Sequence, residues 1–174
     1  SMKEAEALVA LRAGIWPRTA GARWAITLRG GDASLIGSCG YYNVNRVFHS
    51  VEIGYDLHPA HWRKGIMTEA ATAMLDYCFG DTFEFRLNRV EALTYVGHVA
   101  SIGLLAKLGF REEGIRREYG YWKNAYHDLR AFSLLRREWE GRLVAGDPDR
   151  LAVQDVRTDA VPAATRSSLR GWII

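Results

Sequence analysis

The sequence predicts a mixed α/β fold, in which one mostly antiparallel, twisted sheet is flanked by helices. Residues 51–57 alternate between apolar and polar side chains, which is the period of a strand with one buried face. Residues 68–80 carry apolar side chains along one stripe, as a packed helix does. A second alternating run follows at residues 89–95. A strand, a helix and a strand in this order predict a βαβ unit with two parallel strands.

The remaining elements are predicted from spacing and from turn residues. We expect a helix at residues 3–14, strands at 24–28 and 35–44 joined by a turn at Gly30-Gly31-Asp32, a helix at 101–107, and a hairpin of strands 111–118 and 126–136 around residues 122–124. Gly109 stands where the second helix should end in a left-handed residue. These elements complete one sheet with helices packed against it.

The composition is that of one globular domain. The chain has 174 residues, of which 48% are hydrophobic and 25% charged, and its net charge is only +3. The basic residues are spread along the chain, so no nucleic-acid partner is predicted. No run approaches the ~20 apolar residues of a membrane helix, so no membrane partner is predicted. Cys39 and Cys78 lack metal-binding spacing, so we expect reduced, buried thiols, no metal and a cytoplasmic location.

The turn between the first strand and helix of the βαβ unit has the chemistry of an anion site. It contains Arg63, Lys64 and Gly65 and leads directly into the helix. The first N–H groups of a helix lack internal partners and lie at the positive end of its dipole. Gly65 lets the backbone approach a ligand closely. The sequence therefore predicts a phosphate site here, and the alternative is a solvated helix cap.

The surrounding residues resemble motif A of the GNAT superfamily of acyl-CoA-dependent N-acetyltransferases, and more narrowly its ribosomal-protein, RimJ/RimL-like branch. The matching segments are Glu52-Ile53-Gly54-Tyr55, Pro59, residues 62–70, Ser101 and residues 104–114. The resemblance implies the acyl-CoA N-acyltransferase (GNAT) fold and acetyl-CoA as cofactor. Two residues depart from the superfamily pattern of the turn. Trp62 takes the first place, as it often does in this branch, and Met67 takes the last, where its side chain would crowd a diphosphate unless it turns into the core.

The same resemblance implies where acetyl-CoA would bind. The strands that end at Leu57 and Tyr95 should splay apart, and pantetheine should lie between them against free backbone groups of residues 55–57. The diphosphate should lie over the start of the helix. His98 takes the place of an asparagine that contacts the cofactor in the family. The predicted cofactor-binding residues are Tyr55, Leu57, Arg63, Lys64, Gly65, Ile66, Met67, Thr68 and His98.

Glu52 and Ser101 are the predicted catalytic residues. Glu52 would take the proton of the acceptor amine, directly or through water, and its alternative is a structural carboxylate bonded to a neighbouring strand. Leu105 occupies the place of the tyrosine acid of many GNAT enzymes, so the resemblance points to Ser101 instead. The alternative for Ser101 is a hydroxyl that caps the helix. His98 is a second base candidate.

Other polar and aromatic residues are interpreted more plainly. His127 and Asp128 are adjacent on a strand and therefore point to opposite faces, so we interpret them as structural rather than as an acid–base pair. Tyr121 and Trp122 line an acceptor groove or belong to the core. The function predicted from the resemblance is transfer of an acetyl group to a primary amine by direct attack in a ternary complex. The expected acceptor is a protein N-terminal α-amine. The alternatives are a small amine, such as a polyamine or aminoglycoside, and a catalytically silent acyl-CoA-binding module.

The order of segments along the chain suggests a displaced element. Members of the RimJ/RimL-like branch open with a strand and a short helix, whereas here a similar pattern occupies residues 150–174. We therefore expect an acetyltransferase core at residues 1–138, a linker at 139–149, and a strand–helix element at 150–174 that completes the same domain. That element would pack within its own chain or exchange with a second subunit to give a homodimer. The alternative is a tail outside the fold.

Overall fold

The computed structural model describes residues 21–28 and 34–144, with side chains through residue 142. The strands are β1 (Ala22–Ile26), β2 (Gly37–Asn45), β3 (Ser50–Leu57), β4 (Arg89–Tyr95), β5 (Arg111–Trp122) and β6 (Ala125–Leu135). The helices are α1 (Ile66–Phe79), α2 (Val99–Lys107) and α3 (Arg136–Val144), with a short 3₁₀ turn at Pro59–His61. The helix predicted at residues 3–14, the turn at 30–32 and the element at 150–174 lie outside the described residues.

All six strands form one sheet in the order β1-β2-β3-β4-β6-β5. The strands β1, β2 and β3 form an antiparallel meander, and β3 pairs in parallel with β4 across the helix α1. The hairpin β5–β6 adds to β4 in antiparallel orientation. The predicted mixed sheet and its βαβ unit are therefore confirmed.

The core lies between one face of the sheet and helix α1. The helix buries Ala71, Leu75 and Cys78 completely, and the sheet contributes side chains that alternate along its strands. On β3 these are Val51, Ile53 and Tyr55, all under 7% exposed. Cys39 and Cys78 are both free and buried, as the sequence predicts. The apolar stripe of the βαβ helix thus fixes which face of the sheet is the core.

The opposite face of the sheet carries polar side chains that join the first three strands. Arg23 of β1 donates from Nε to Ser38 Oγ of β2 at 2.7 Å and forms an ion pair with Asp56 of β3. Ser38 also donates to Asp56. These bonds fasten the meander on the side away from α1.

The pairing of β3 with β4 ends halfway along the two strands. Their register runs from Ser50 opposite Arg89 to Ile53 opposite Ala92, and no pair follows. Both strands nevertheless continue, to Leu57 and to Tyr95. The predicted splay at the carboxyl ends of the parallel strands is therefore present.

Residues 139–144 are helical, so the prediction that a linker begins at residue 139 is wrong for this segment. Trp139 is only 2% exposed, packs against Phe79 and donates from its indole to Asp76 at 3.0 Å. The polar composition after residue 139 obscured this element, because the contacts of Trp139 are with residues that are distant in the sequence. The proposed division into a core, a linker and a completing element otherwise stays a prediction.

The β5–β6 hairpin turns at Lys123 and Asn124, both with positive φ, which confirms the predicted turn. An irregularity in β5 places Glu118 at a φ of 51°, where its N–H donates to Asp128 Oδ1 at 2.7 Å. His127 instead bonds through Nε2 with the carbonyl oxygen of Trp122 at 3.2 Å. His127 and Asp128 thus have separate partners.

Within residues 21–28 and 34–144, none of the helices has the length and apolar character needed to cross a membrane. The same part of the chain contains no group of three or more His, Cys, Asp or Glu side chains arranged to hold a metal ion.

Candidate functional site

The turn after β3 presents the start of helix α1 without a side-chain cap. Gly65 is the N-cap and has a φ of 80°, a conformation that glycine adopts without strain. A Cβ at this position would meet no atom within 4 Å. The N–H groups of Ile66, Met67 and Thr68 form the first turn, where no intrahelical acceptor exists. The backbone therefore offers donors toward open space.

The charge beside this turn is positive. Arg63 and Lys64 are exposed, and Arg63 has a φ of 58°. Trp62 donates from Nε1 to the carbonyl oxygen of Leu57 at 2.7 Å, which holds the turn against the end of β3. The Leu57 carbonyl oxygen therefore already accepts one internal hydrogen bond, and any hydrogen bond to a ligand would be a second one.

Met67 resolves the steric question that the sequence raises. Its side chain is 9% exposed and belongs to the core cluster. It turns away from the loop, so the backbone at the start of α1 stays accessible.

His98 is the N-cap of α2, and its Nδ1 accepts a hydrogen bond from the Ser101 N–H at 3.0 Å. The neutral imidazole must then carry its proton on Nε2. The interpretation of Ser101 as the capping hydroxyl is therefore wrong, because the imidazole satisfies that donor. His98 retains Nε2 for a ligand, while Nδ1 is engaged.

The Ser101 hydroxyl instead bonds to the Tyr55 hydroxyl at 2.7 Å. Tyr55 lies on β3 beyond the last residue paired with β4, so this bond joins β3 to α2 across the gap. Tyr55 and Ser101 are 6% and 3% exposed. Burial raises the pKa of Tyr55 to about 12, although the bond to Ser101 opposes the shift. The phenol is therefore protonated at neutral pH.

Glu52 lies on the other face of β3, since it alternates with Ile53 and Tyr55. Its Oε1 accepts from Asn43 Nδ2 at 3.0 Å, so the contact to a neighbouring strand, which the structural alternative requires, is present. The second carboxylate oxygen has no partner among the described residues. Glu91 is its register neighbour on β4, but that carboxylate accepts from Arg89 Nε at 2.7 Å.

The two predicted catalytic residues are therefore not brought together. Glu52 projects from one face of the sheet, and Ser101 meets Tyr55 on the other. Sequence reasoning missed the Tyr55 hydroxyl and the capping role of His98. His98 and Ser101 are three positions apart, as an N-cap residue and the N3 residue of a helix are. This spacing is the signal in the sequence that could have indicated the capping role of His98.

Aromatic side chains lie at the end of β4 on the face that carries Glu52. Trp122 stacks on His127 with ring centroids 3.9 Å apart, and Tyr95 meets both rings edge-on. Trp122 is only partly buried, and Tyr121 is 60% exposed, so the interpretation of Tyr121 as a core residue is wrong. This cluster adds an aromatic wall near the open end of the gap.

Neither cysteine of the chain is suited to form a covalent acyl intermediate. Cys39 donates to the Ala70 carbonyl oxygen at 3.8 Å, and burial raises its pKa to about 12. Burial also raises the pKa of Cys78 well above its usual range. A nucleophilic thiolate needs a lowered pKa and access to substrate, and both cysteines lack these properties.

The comparisons with known proteins agree on one protein family. The family model described as "Acetyltransferase (GNAT) domain" matches residues 1–111. The chain is 39% identical over 119 residues to the uncharacterised N-acetyltransferase p20 of Bacillus licheniformis, covering 68% of this chain and 65% of p20. It is 30% identical over 136 residues to the uncharacterised N-acetyltransferase YoaA of Bacillus subtilis, covering 78% and 75%.

A solved structure described as ribosomal-protein-S5-alanine acetyltransferase from Vibrio fischeri is also similar. It superposes with a TM-score of 0.58 and 31% identity, covering 62% of this chain and 58% of that chain. The match thus spans less than two thirds of both p20 and the Vibrio protein.

Replacement of His98 tests the helix cap. The variant His98→Ala should lose about 1 kcal/mol of unfolding free energy, because the Ser101 N–H loses its acceptor. His98→Asn should stay within a few tenths of the wild type, since asparagine is a good N-cap. Urea unfolding followed by circular dichroism measures both. Equal losses in the two variants would contradict a capping role.

Proposed function

The chain belongs to the GNAT acetyltransferase domain family, and we propose on that premise that it transfers the acetyl group of acetyl-CoA to a primary amine. The observation that carries the proposal is the gap between β3 and β4 beside the uncapped start of α1. The gap exposes strand backbone next to a cationic, glycine-containing turn. This combination suits an extended ligand with a phosphate group at one end.

The residues present fit acetyl-CoA. The space beside Gly65 is open, and the side chain of Met67 lies in the core. The N–H groups of residues 66–68 would hold the diphosphate, with Arg63 and Lys64 adding charge. Backbone groups of Tyr55 and Leu57 would hold pantetheine, and His98 Nε2 would donate to the cofactor. Bound acetyl-CoA supplies an activated thioester. The protein must then position an amine, accept a proton from it and donate a proton to the departing thiolate.

Glu52 is the proposed base. Its Oε1 is held by Asn43, which orients the carboxylate, and the other oxygen can accept a proton from the ammonium group or from a water between them. A carboxylate also favours a cationic acceptor over a neutral one. The neighbouring Glu91 is less suited to this role because its Oε1 already accepts a hydrogen bond from Arg89 Nε.

Ser101 is the proposed proton donor for the departing thiolate, with Tyr55 as its positioning residue. A protonated Tyr55 hydroxyl can donate to Ser101 Oγ, which frees the serine proton for a second partner. The pair is buried, so its hydrogen bonds are little weakened by competing water. Direct attack by the amine is consistent with the buried, protonated cysteines, which are unsuited to carry the acetyl group.

The proposed acceptor is a protein N-terminal α-amine. Likeness to the structure named as an S5-alanine acetyltransferase supports this choice. A small amine such as a polyamine or aminoglycoside is the second candidate, because Glu52 and the aromatic wall of Tyr95 and Trp122 also suit a compact cation. A silent acyl-CoA-binding module is the third, since Leu105 replaces the family's usual tyrosine acid.

A thiol-release assay with acetyl-CoA decides among these candidates. The acceptors are peptides with free N-termini, the same peptides with blocked N-termini, and a set of polyamines and aminoglycosides. We expect turnover with the free peptides and none with the blocked ones. Turnover with small amines alone would favour the second candidate. Measurable acetyl-CoA binding without turnover of any acceptor would favour the silent module.

Replacement of Gly65 tests the phosphate loop. The variant Gly65→Val should bind acetyl-CoA at least tenfold more weakly, because a branched side chain would fill the open space and disfavour the positive φ. Calorimetric titration measures the affinity, and thermal melting shows that the protein is folded. Gly141→Val is the matched control, since Gly141 also has open space around its Cβ position but lies on α3. Unchanged affinity of the Gly65 variant for acetyl-CoA would exclude this loop as the binding site of the diphosphate.

Replacement of Glu52 tests the base. The variant Glu52→Gln should lower kcat at least tenfold and flatten the acidic limb of the pH–rate profile, with less than a threefold change in acetyl-CoA affinity. Glu91→Gln changes the register neighbour on the same face and should keep the wild-type profile. An unaltered pH–rate curve for Glu52→Gln would remove it from the role of base.

A further inference from the structure

A second candidate site lies at the end of the sheet opposite the turn at Gly65. It is a cleft of about 330 Å³, which is roughly ten water volumes. Its lining residues are His49, Arg86, Leu87, Asn88, Arg136, Arg137 and Glu140. They adjoin the amino ends of β3 and β4, whereas the loop follows the carboxyl end of β3. The two ends of β3 are ~23 Å apart at ~3.3 Å per residue, so the cleft and the turn at Gly65 are separate.

The floor of the cleft is fixed by backbone hydrogen bonds. The Asn88 N–H donates to the His49 carbonyl oxygen at 2.9 Å, and the Arg136 N–H donates to the Asn88 carbonyl oxygen at 2.9 Å. These two bonds join the chain before β3, the chain before β4 and the start of α3. The cleft therefore has a rigid base before any ligand binds.

Arg136 is a buried arginine of the cleft lining whose guanidinium group is held in place by several hydrogen bonds. Its side chain is 8% exposed. Its Nε donates to the Leu87 carbonyl oxygen at 2.6 Å, and its Nη1 donates to Phe79 and Glu140. Glu140 is the cleft's only lining carboxylate among the described residues, and it is already paired with Arg136.

Two further arginines line the cleft without partners. Arg86 and Arg137 are exposed, and neither forms an ion pair or a side-chain hydrogen bond within residues 21–28 and 34–144. The Asn88 side-chain amide is likewise without a partner in that part of the chain. A guanidinium group presents several N–H donors in a plane that matches the oxygens of a phosphate. The cleft thus combines unused donors with three arginines and one carboxylate.

We propose that this cleft binds a phosphate group, either free or within a larger ligand, through Arg86, Arg137 and the side-chain amide of Asn88. Arg136 and Glu140 form an ion pair within the cleft, so the net positive charge comes from Arg86 and Arg137, and Leu87 supplies an apolar edge. The proposal is independent of the acetyl-transfer reaction, since none of these residues takes part in the site at the splayed end of the sheet.

Nuclear magnetic resonance of the full-length, ¹⁵N-labelled protein tests the proposal. Inorganic phosphate is titrated at constant ionic strength against chloride, and the signals of the Asn88 side-chain amide and the residue 87–88 backbone amides are followed. We expect saturable shifts at these positions. In the double variant Arg86→Gln, Arg137→Gln the apparent Kd should rise at least fivefold. Arg117→Gln, an exposed arginine on β5, is the matched control and should bind as the wild type does.

The location of the shifts separates this site from the loop at Gly65. Shifts confined to residues 65–68, or shifts near Asn88 that the double variant retains, would overturn the proposal. A second titration with a short single-stranded RNA distinguishes the source of the phosphate. Tighter binding of RNA at the same residues identifies a phosphodiester backbone as the ligand, and equal or weaker binding identifies a small phosphate compound.

Discussion

The early end of the β3–β4 pairing is the constraint on which the rest of the site depends. Two parallel strands that stay paired to their ends would use the backbone groups that an extended ligand needs. Here pairing stops at Ile53 and Ala92, and both strands run on. The loop before α1 follows one strand and the cap of α2 follows the other. The chemical groups at the carboxyl ends of both strands are thereby arranged around a single opening.

The hydroxyl pair of Tyr55 and Ser101 holds this opening in a defined shape. The 2.7 Å bond spans the gap at a buried position, where an unsatisfied hydroxyl would cost about 1–3 kcal/mol. This bond therefore links β3 to α2 and places a buried polar pair at the opening, where Ser101 is the proposed proton donor. Glu52 approaches from the other face of the sheet, so the proposed proton acceptor and proton donor lie on different sides of β3.

The sequence predicts the elements better than it predicts their ends or contacts. The strand expected at residues 89–95 matches β4, because strict alternation in a half-buried strand leaves little freedom of register. Helix α1 begins two residues before the prediction because Gly65 starts it from a left-handed conformation. Helix α2 also begins early because a histidine, which is not among the preferred N-cap residues, caps it.

Contacts between residues that lie far apart in the sequence cannot be predicted from local patterns. Nothing in the local pattern near Tyr55 indicates a hydrogen bond to Ser101, which is 46 positions away. The helical segment after residue 139 was missed for a related reason, since the packing of Trp139 against Phe79 depends on the tertiary fold. The spacing of apolar residues indicates which face of a helix or strand is buried. It does not indicate which side chain of another element contacts that face.

The amino ends of β3 and β4 are joined to each other and to the end of β6, whereas their carboxyl ends are free of each other. Each strand keeps its pairing on the outer side, β3 with β2 as far as Leu57 and β4 with β6 as far as Tyr95. The two carboxyl ends thus belong to separate halves of the sheet that part beyond Ile53 and Ala92. An extended ligand between them would complete the backbone pairing that the sheet itself leaves open.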